Sequence, residues 1–167
     1  MDTLECTATK AVEHPALRAM FEARKRVFVD LLGWDVPILA GRYEIDQFDT
    51  ADAVYLILLD PMGNHRASAR LLHTVQSHIL ADLFPILCDD AVPRGQRIRE
   101  ITRFCIDPRL PRIERRQAQN ALVSALVDHA LATGIDTYTA VANGPASWPT
   151  MGSASSQVSL PTPRSQV

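Results

Sequence analysis

The chain has little of what would remove it from the ordinary run of globular proteins. Its 167 residues hold only three cysteines, Cys6, Cys88 and Cys105. Widely spaced and odd in number, they fit neither a disulfide framework nor a zinc site, and they suit a reducing cytoplasm. No apolar run reaches the length of a membrane-crossing helix, which needs roughly 20 residues. Met1-Asp2-Thr3-Leu4-Glu5 is acidic and polar, unlike a secretory leader. Neither sign of charge dominates: 17 Lys and Arg stand against 19 Asp and Glu, a net of -2. That balance gives no general argument for nucleic-acid or membrane binding. No internal repeat is visible.

What is present is a chain 47% hydrophobic and long enough for one domain with a real core. Residues 3–9 read as a short strand. Over residues 15–32, Leu17, Met20, Phe21, Arg24, Val27, Phe28 and Leu31 recur at helical spacing. Pro15 suits the first turn and Gly33 the stop. Residues 35–42 read as a loop. Residues 54–60 are a buried strand, 61–64 a turn, and 65–73 the hairpin partner. Residues 78–88 read as a short amphipathic helix or turn packing Leu80, Leu83, Phe84 and Leu87. Residues 98–106 alternate as a strand, 114–133 form the clearest helix, Gly134 stops it, and 136–142 make a last strand. Strands interspersed with helices predict an α/β fold for residues 1–142. Residues 143–167 turn rich in Ser, Pro, Gly and Thr, and are expected to lack fixed structure.

The segment Tyr43-Glu44-Ile45-Asp46-Gln47-Phe48-Asp49 sets Glu44, Asp46 and Asp49 close together. In an extended chain Glu44 and Asp46 share a face. Acids this close repel unless cations sit among them. The alternative is a solvated strand edge. Arg24, Arg70 and Arg103 are the available cations. Arg70 lies within an apolar strand, where an arginine is costly unless paired with an acid. In residues 98–106, strict alternation puts Ile98, Glu100, Thr102 and Phe104 on one face and Arg99, Ile101, Arg103 and Cys105 on the other. A bulge, or a site at a splayed strand edge, is required if Glu100 and Arg103 serve one ligand.

Arg24-(x)3-Phe28, Leu32-Gly33-Trp34, Glu44-x-Asp46-Gln47-Phe48-Asp49, Arg70-Leu71-Leu72 and Glu100-x-x-Arg103-Phe104, in this order and at these spacings, resemble the acyl-homoserine lactone synthases of the LuxI type. The resemblance runs from about Leu17 to Ala142. It implies a GNAT-like fold, a mixed, twisted sheet flanked by helices with a V-shaped opening between central strands. It implies acylation of the amine of S-adenosylmethionine from an acyl carrier protein or acyl-CoA, then lactone closure with loss of methylthioadenosine, and no cofactor or metal. Glu100 is the first candidate for the base and Glu44 the second. Arg24 and Arg103 are candidate forks for the substrate carboxylate. Phe28 and Trp34, with Asp46 or Asp49, suit the sulfonium. Arg70 and Phe104 complete the candidate site. For Asp46, Asp49, Arg70 and Arg103, a buried electrostatic scaffold is the alternative reading.

An ordinary GNAT acetyltransferase would carry a Gly-rich pyrophosphate loop before its long helix. Here Arg112-Ile113-Glu114-Arg115-Arg116-Gln117-Ala118 holds no glycine. Family members continue past the last strand seen here, so the C-terminal part of the sheet is expected to be incomplete, with an open edge near Ala140. An inactive, truncated remnant of a synthase is therefore a further alternative. Between Arg94 and Arg116 lie eight arginines opposed by Glu100, Asp107 and Glu114. This basic stretch is a candidate docking face for an acidic carrier protein or for the phosphates of acyl-CoA.

Overall fold

The computed structural model describes residues 14–142 and the pair Val158–Ser159. The strand expected at residues 3–9 lies outside the described residues.

Helix α1 spans Pro15–Arg24, and the His14 side chain accepts the Ala16 N–H at 3.2 Å. The chain then winds as a π-helix over Lys25–Leu31 rather than continuing the expected α-helix. The Leu32 N–H reaches Val27 O at 3.0 Å, and the Trp34 N–H reaches Phe28 O at 2.8 Å. Such wide turns are rare in α-helices and cluster at functional sites. Gly33, at φ 68°, ends the helix in a left-handed conformation that costs glycine little. The expected loop at residues 35–42 holds a two-residue strand, β1 (Ile38–Leu39), paired with β2 (Tyr43–Glu44).

Strands β3 (Val54–Leu59) and β4 (His65–His73) form the expected hairpin. Asp60 stabilises its turn by accepting the Met62 and Asn64 N–H groups at 2.9 and 2.8 Å. Helix α2 is one turn, Ile79–Asp82. Only part of its expected packing occurs: Leu80 is buried, while Leu83 and Phe84 are 52% and 41% exposed. Strand β5 (Ile98–Ile106) pairs antiparallel with β4. Helix α3 (Arg112–Thr133) then crosses over to β6 (Thr137–Ala140), parallel to β5. Strand β7 (Val158–Ser159) pairs with Thr137 and Tyr138 of β6, giving the order β3-β4-β5-β6-β7. Thus two residues of the stretch expected to be unstructured are strand; the rest of it is outside the described residues. Among the described residues no strand pairs the outer side of Thr139 and Ala140.

The sheet is mixed and helices cover both faces. On one face Leu17, Met20 and Phe21 of α1 pack with Tyr55, Ile57 and Leu72. On the other Ala118, Leu122, Leu126 and Ala130 of α3 pack with Leu56, Ala69, Leu71 and Tyr138. Each large apolar side chain removed from water in this way contributes about 1.5–3 kcal/mol.

Candidate active site

The α1 face of the sheet carries the polar site. Three arginines and three carboxylates interlock there, all but sealed from solvent. Arg24 binds Glu44 through Nε and Asp49 through both terminal nitrogens, at 2.8 and 2.9 Å. Arg70 donates to both oxygens of Asp46 at 2.6 and 3.1 Å, and its Nη1 lies 2.7 Å from Asp49. Its Nε donates to Thr102 at 2.9 Å. Arg103 reaches Glu44 at 3.1 and 2.9 Å and Asp46 at 2.7 Å. Tyr55 donates to Asp49 at 2.8 Å. Residues 46–49 form a turn closed on itself, with the Asp46 side chain accepting the Phe48 N–H and Asp49 accepting the Asp46 N–H.

The charges compensate one another. Burial pushes the Asp49 carboxyl up, but Arg24 and Arg70 outweigh it and hold it well below the usual carboxylate range. Burial likewise opposes charge on Arg24, and Asp49 and Glu44 overcome it. Asp49 and Arg24 therefore hold each other in the charged form. Arg24 has both ends committed and is 1% exposed, so it braces the acids rather than presenting a free fork. Glu44 is clasped by Arg24 and Arg103, the setting of an ion-pair partner rather than of a free base.

Arg103 is different. Its side chain keeps 10% exposure, and Nη1 makes no hydrogen bond among the described residues. Phe28 and Trp34 stack at 4.8 Å, and the Arg103 guanidinium lies 5.4 and 5.7 Å from their ring centroids. The backbone explains how it arrives there. Arg103 has φ 49°, and the β4–β5 register slips so that Ala69 faces two residues, Arg103 and Phe104. Of the two expected arrangements, the bulge is the one present. It returns Arg103 and Cys105 to the face of Glu100 and Thr102. It also corrects the expected place of Phe104, which packs on the α3 face with Leu122 and its neighbours, away from the ion network. Pairing of β5 with β6 stops at Ile101 and Ala140, while β5 runs on to Ile106. Arg103 therefore sits two residues beyond the last β5–β6 pair.

Glu100 is 0% exposed and stands apart from the arginine clasp. Its two oxygens accept the Ile79 and Leu80 N–H groups at 2.8 and 2.9 Å. Each oxygen retains a second lone pair. Burial raises its pKa to about 7, against the lowering by those two N–H groups and by Arg70. A carboxyl poised near neutrality can take and return a proton at working pH. Glu100 and Thr139 are register partners on adjacent strands, and the Thr139 hydroxyl is buried without a partner.

Sequence reasoning did not single out Tyr55, Thr102, Thr139 or the Ile79 and Leu80 amides. A phenol within an apolar strand is itself a signal, because a buried hydroxyl needs a partner. The amides carry no side-chain signature. Among the described residues no group of His, Cys, Asp and Glu is placed to hold a metal ion, and no helix is long and apolar enough to cross a membrane.

A buried near-neutral carboxyl, a clasped ion network and an aromatic pair stand on one face of a mixed sheet. The chain belongs to the autoinducer synthase family, whose model matches residues 8–147. It is 36% identical over 129 residues to an acyl-homoserine-lactone synthase of Rhizobium etli, a match covering 75% of this chain and 60% of that one. It is 38% identical over 109 residues to one of Aeromonas salmonicida, covering 62% and 52%. Both matches leave more than a third of the relative's length unspanned. Among solved structures, TofI in a ternary complex with an inhibitor and MTA superposes with TM-score 0.66 at 29% identity, covering 84% of this chain and 71% of that one. BjaI, a CoA-dependent acyl-homoserine lactone synthase with SAM and isopentyl-CoA, superposes with TM-score 0.69 at 25% identity, covering 81% and 63%.

Proposed function

We propose that this site acylates the amine of S-adenosylmethionine and closes the product to an N-acyl-homoserine lactone, a quorum-sensing signal, in the cytoplasm. The observation that carries the reading is Glu100, a buried carboxyl held by two backbone N–H groups next to the last β5–β6 pair, its pKa raised by burial to about 7. An α-ammonium has a pKa of roughly 8, so passing its proton to such a carboxylate costs only about 1.4 kcal/mol.

The steps follow from the groups present. Glu100 accepts a proton from the substrate ammonium, directly or through water. The amine nitrogen then attacks the thioester carbonyl carbon of an acyl carrier protein or acyl-CoA. A C–N bond forms, the C–S bond breaks, and the thiol departs with a proton. The substrate carboxylate oxygen next attacks the γ-carbon. The C–S bond of the sulfonium breaks, its electron pair stays on sulfur, and methylthioadenosine leaves. This second step is mainly a matter of proximity, because a sulfonium is already a good leaving group.

Arg103 is the donor to the substrate carboxylate through Nη1, and the Phe28–Trp34 pair is the surface for the sulfonium. Arg24, Arg70, Glu44, Asp46 and Asp49 hold those groups in place. The bound molecules in the BjaI and TofI structures, SAM, isopentyl-CoA and MTA, are of the kinds this reaction consumes or releases. The test is incubation of the purified chain with S-adenosylmethionine and an acyl donor, followed by mass spectrometry. Lactone and methylthioadenosine in equal amounts are expected. Acetyl-CoA turnover on a generic amine without S-adenosylmethionine would instead indicate an ordinary N-acetyltransferase.

A further inference from the structure

Helix α2 is a single turn of four residues. A helix that short has no stability of its own, since nucleation is costly and few bonds repay it. Something else must fix its place. Its first two N–H groups are satisfied by Glu100, 20 and more residues away in sequence, and not by its own N-cap residue.

That N-cap residue is His78, and its ring is wholly buried. Nδ1 lies 2.9 Å from the Gln76 carbonyl. A carbonyl only accepts, so Nδ1 carries the proton and donates. The Gln76 N–H in turn donates to His73 O, the last residue of β4, at 3.1 Å. The His78 carbonyl accepts the Asp82 N–H at 3.0 Å, closing the single turn of α2. His78 thus links the end of β4 to the helix that grips Glu100. Its other nitrogen, Nε2, is buried without a partner. Leaving a buried polar atom unpaired costs about 1–3 kcal/mol. A purely structural plug would be an apolar ring of the same size.

We propose that His78 is a positioning residue: its buried ring pins the turn that presents the Ile79 and Leu80 N–H groups to the Glu100 carboxylate. The inference rests on the proposed role of Glu100 as base. Two N–H donors stabilise the charged carboxylate, so loosening them makes Glu100 harder to ionise. The other groups acting on Glu100 are Arg70 of β4, which favours the charged form, and Asp82 of α2, which opposes it. Thr102 and Thr139 lie on the same face and carry no charge.

The test is carbon NMR of the glutamate side chains in the full chain, with Glu100 assigned by its loss in Glu100→Gln. In the wild type the Glu100 midpoint is expected at about 7, with the Ile79 and Leu80 amide signals moving in step. His78→Phe fills the space but cannot donate, and should raise the midpoint by about one unit. His78→Ala serves the same purpose if the Phe variant does not fold. His78→Asn, a good N-cap residue whose amide can reach Gln76, should bring the midpoint back toward the wild type. An unchanged midpoint in a folded His78→Phe or His78→Ala protein would overturn the proposal. The titration requires no lactone. Absent lactone with the expected titration speaks against the reaction, whereas an unmoved titration speaks against His78. Where lactone forms, the acid limb of its pH–rate profile should shift with the midpoint.

Discussion

Arg24 and Asp49 meet as a two-pronged pair, Nη1 to Oδ1 at 2.8 Å and Nη2 to Oδ2 at 2.9 Å, with both side chains out of reach of water. Neither charge would be tolerable there alone. Asp49→Asn leaves Arg24 and Arg70 short of a counter-charge. It should lower stability by about 3–5 kcal/mol. Tyr55→Phe removes only one hydrogen bond to that carboxylate, for which about 1.5–3 kcal/mol is expected. Urea unfolding midpoints compared at a common slope measure both. A smaller loss for Asp49→Asn than for Tyr55→Phe would contradict the clasp.

Stability against pH should show two opposed slopes. Burial lowers the pKa of His65 to about 4 and raises that of Glu100 to about 7. Between about pH 4.5 and 6.5, the folded chain lacks a proton on His65 that the unfolded chain binds, so this group makes stability rise with pH. Over the same window the folded chain keeps a proton on Glu100 that the unfolded chain has released, so this group makes it fall. Each slope is about 1.4 kcal/mol per pH unit, and they nearly cancel. Glu100→Gln should therefore reveal a rising profile and His65→Gln a falling one. Flat profiles in both variants would contradict the burial of these charges.

Much of the fold was legible because side-chain patterns report it. The 65–73 strand, the hairpin turn at 61–64 and the long helix stopped by Gly134 all stand where the sequence pattern places them. Alternation alone separates Arg103 from Glu100, so a bulge or a site at a splayed strand edge was expected if both serve one ligand, and the structure has the bulge. The fate of Phe104 was not legible. A bulge flips every residue beyond it, and which residue it starts on depends on one backbone angle, φ 49° at Arg103. The π-helix left no mark either, because over seven residues it changes hydrogen-bond partners more than apolar spacing. Arg24 was readable as a partner of acids, but its complete commitment to Glu44 and Asp49 is a matter of geometry.

Substrate binding should divide between Arg103 and the aromatic pair. Arg103→Lys keeps the charge and the same strained backbone, but removes the Nη1 donor together with the Nε and Nη2 contacts to Glu44 and Asp46. It should raise KM for S-adenosylmethionine by roughly 10- to 150-fold, the equivalent of about 1.5–3 kcal/mol. Trp34→Ala should raise it by about 2- to 30-fold, the range of about 0.5–2 kcal/mol for a cation over a ring. In both, kcat should fall less than KM rises. A loss confined to kcat would move these residues from binding to chemistry.

The donor's carrier should feel the basic face at the start of α3. Arg112, Arg115 and Arg116 are exposed there. Changing all three to Ala should raise KM for an acyl carrier protein donor and leave that for S-adenosylmethionine nearly unchanged. The penalty should shrink with salt, because such steering is screened within about 8 Å at physiological ionic strength. Initial rates at two salt concentrations measure it, and unchanged donor kinetics at low salt would return these arginines to a solvated face.

Mass spectrometry of extracts from cells expressing the chain, beside the same cells expressing Glu100→Gln, tests the central claim most directly. The carboxamide can still accept a hydrogen bond but cannot take the ammonium proton. Wild type should yield an N-acyl-homoserine lactone, and Glu100→Gln about 10²- to 10⁴-fold less, while still binding S-adenosylmethionine. Equal lactone from both proteins, or none from the wild type beside a productive control, would contradict the account.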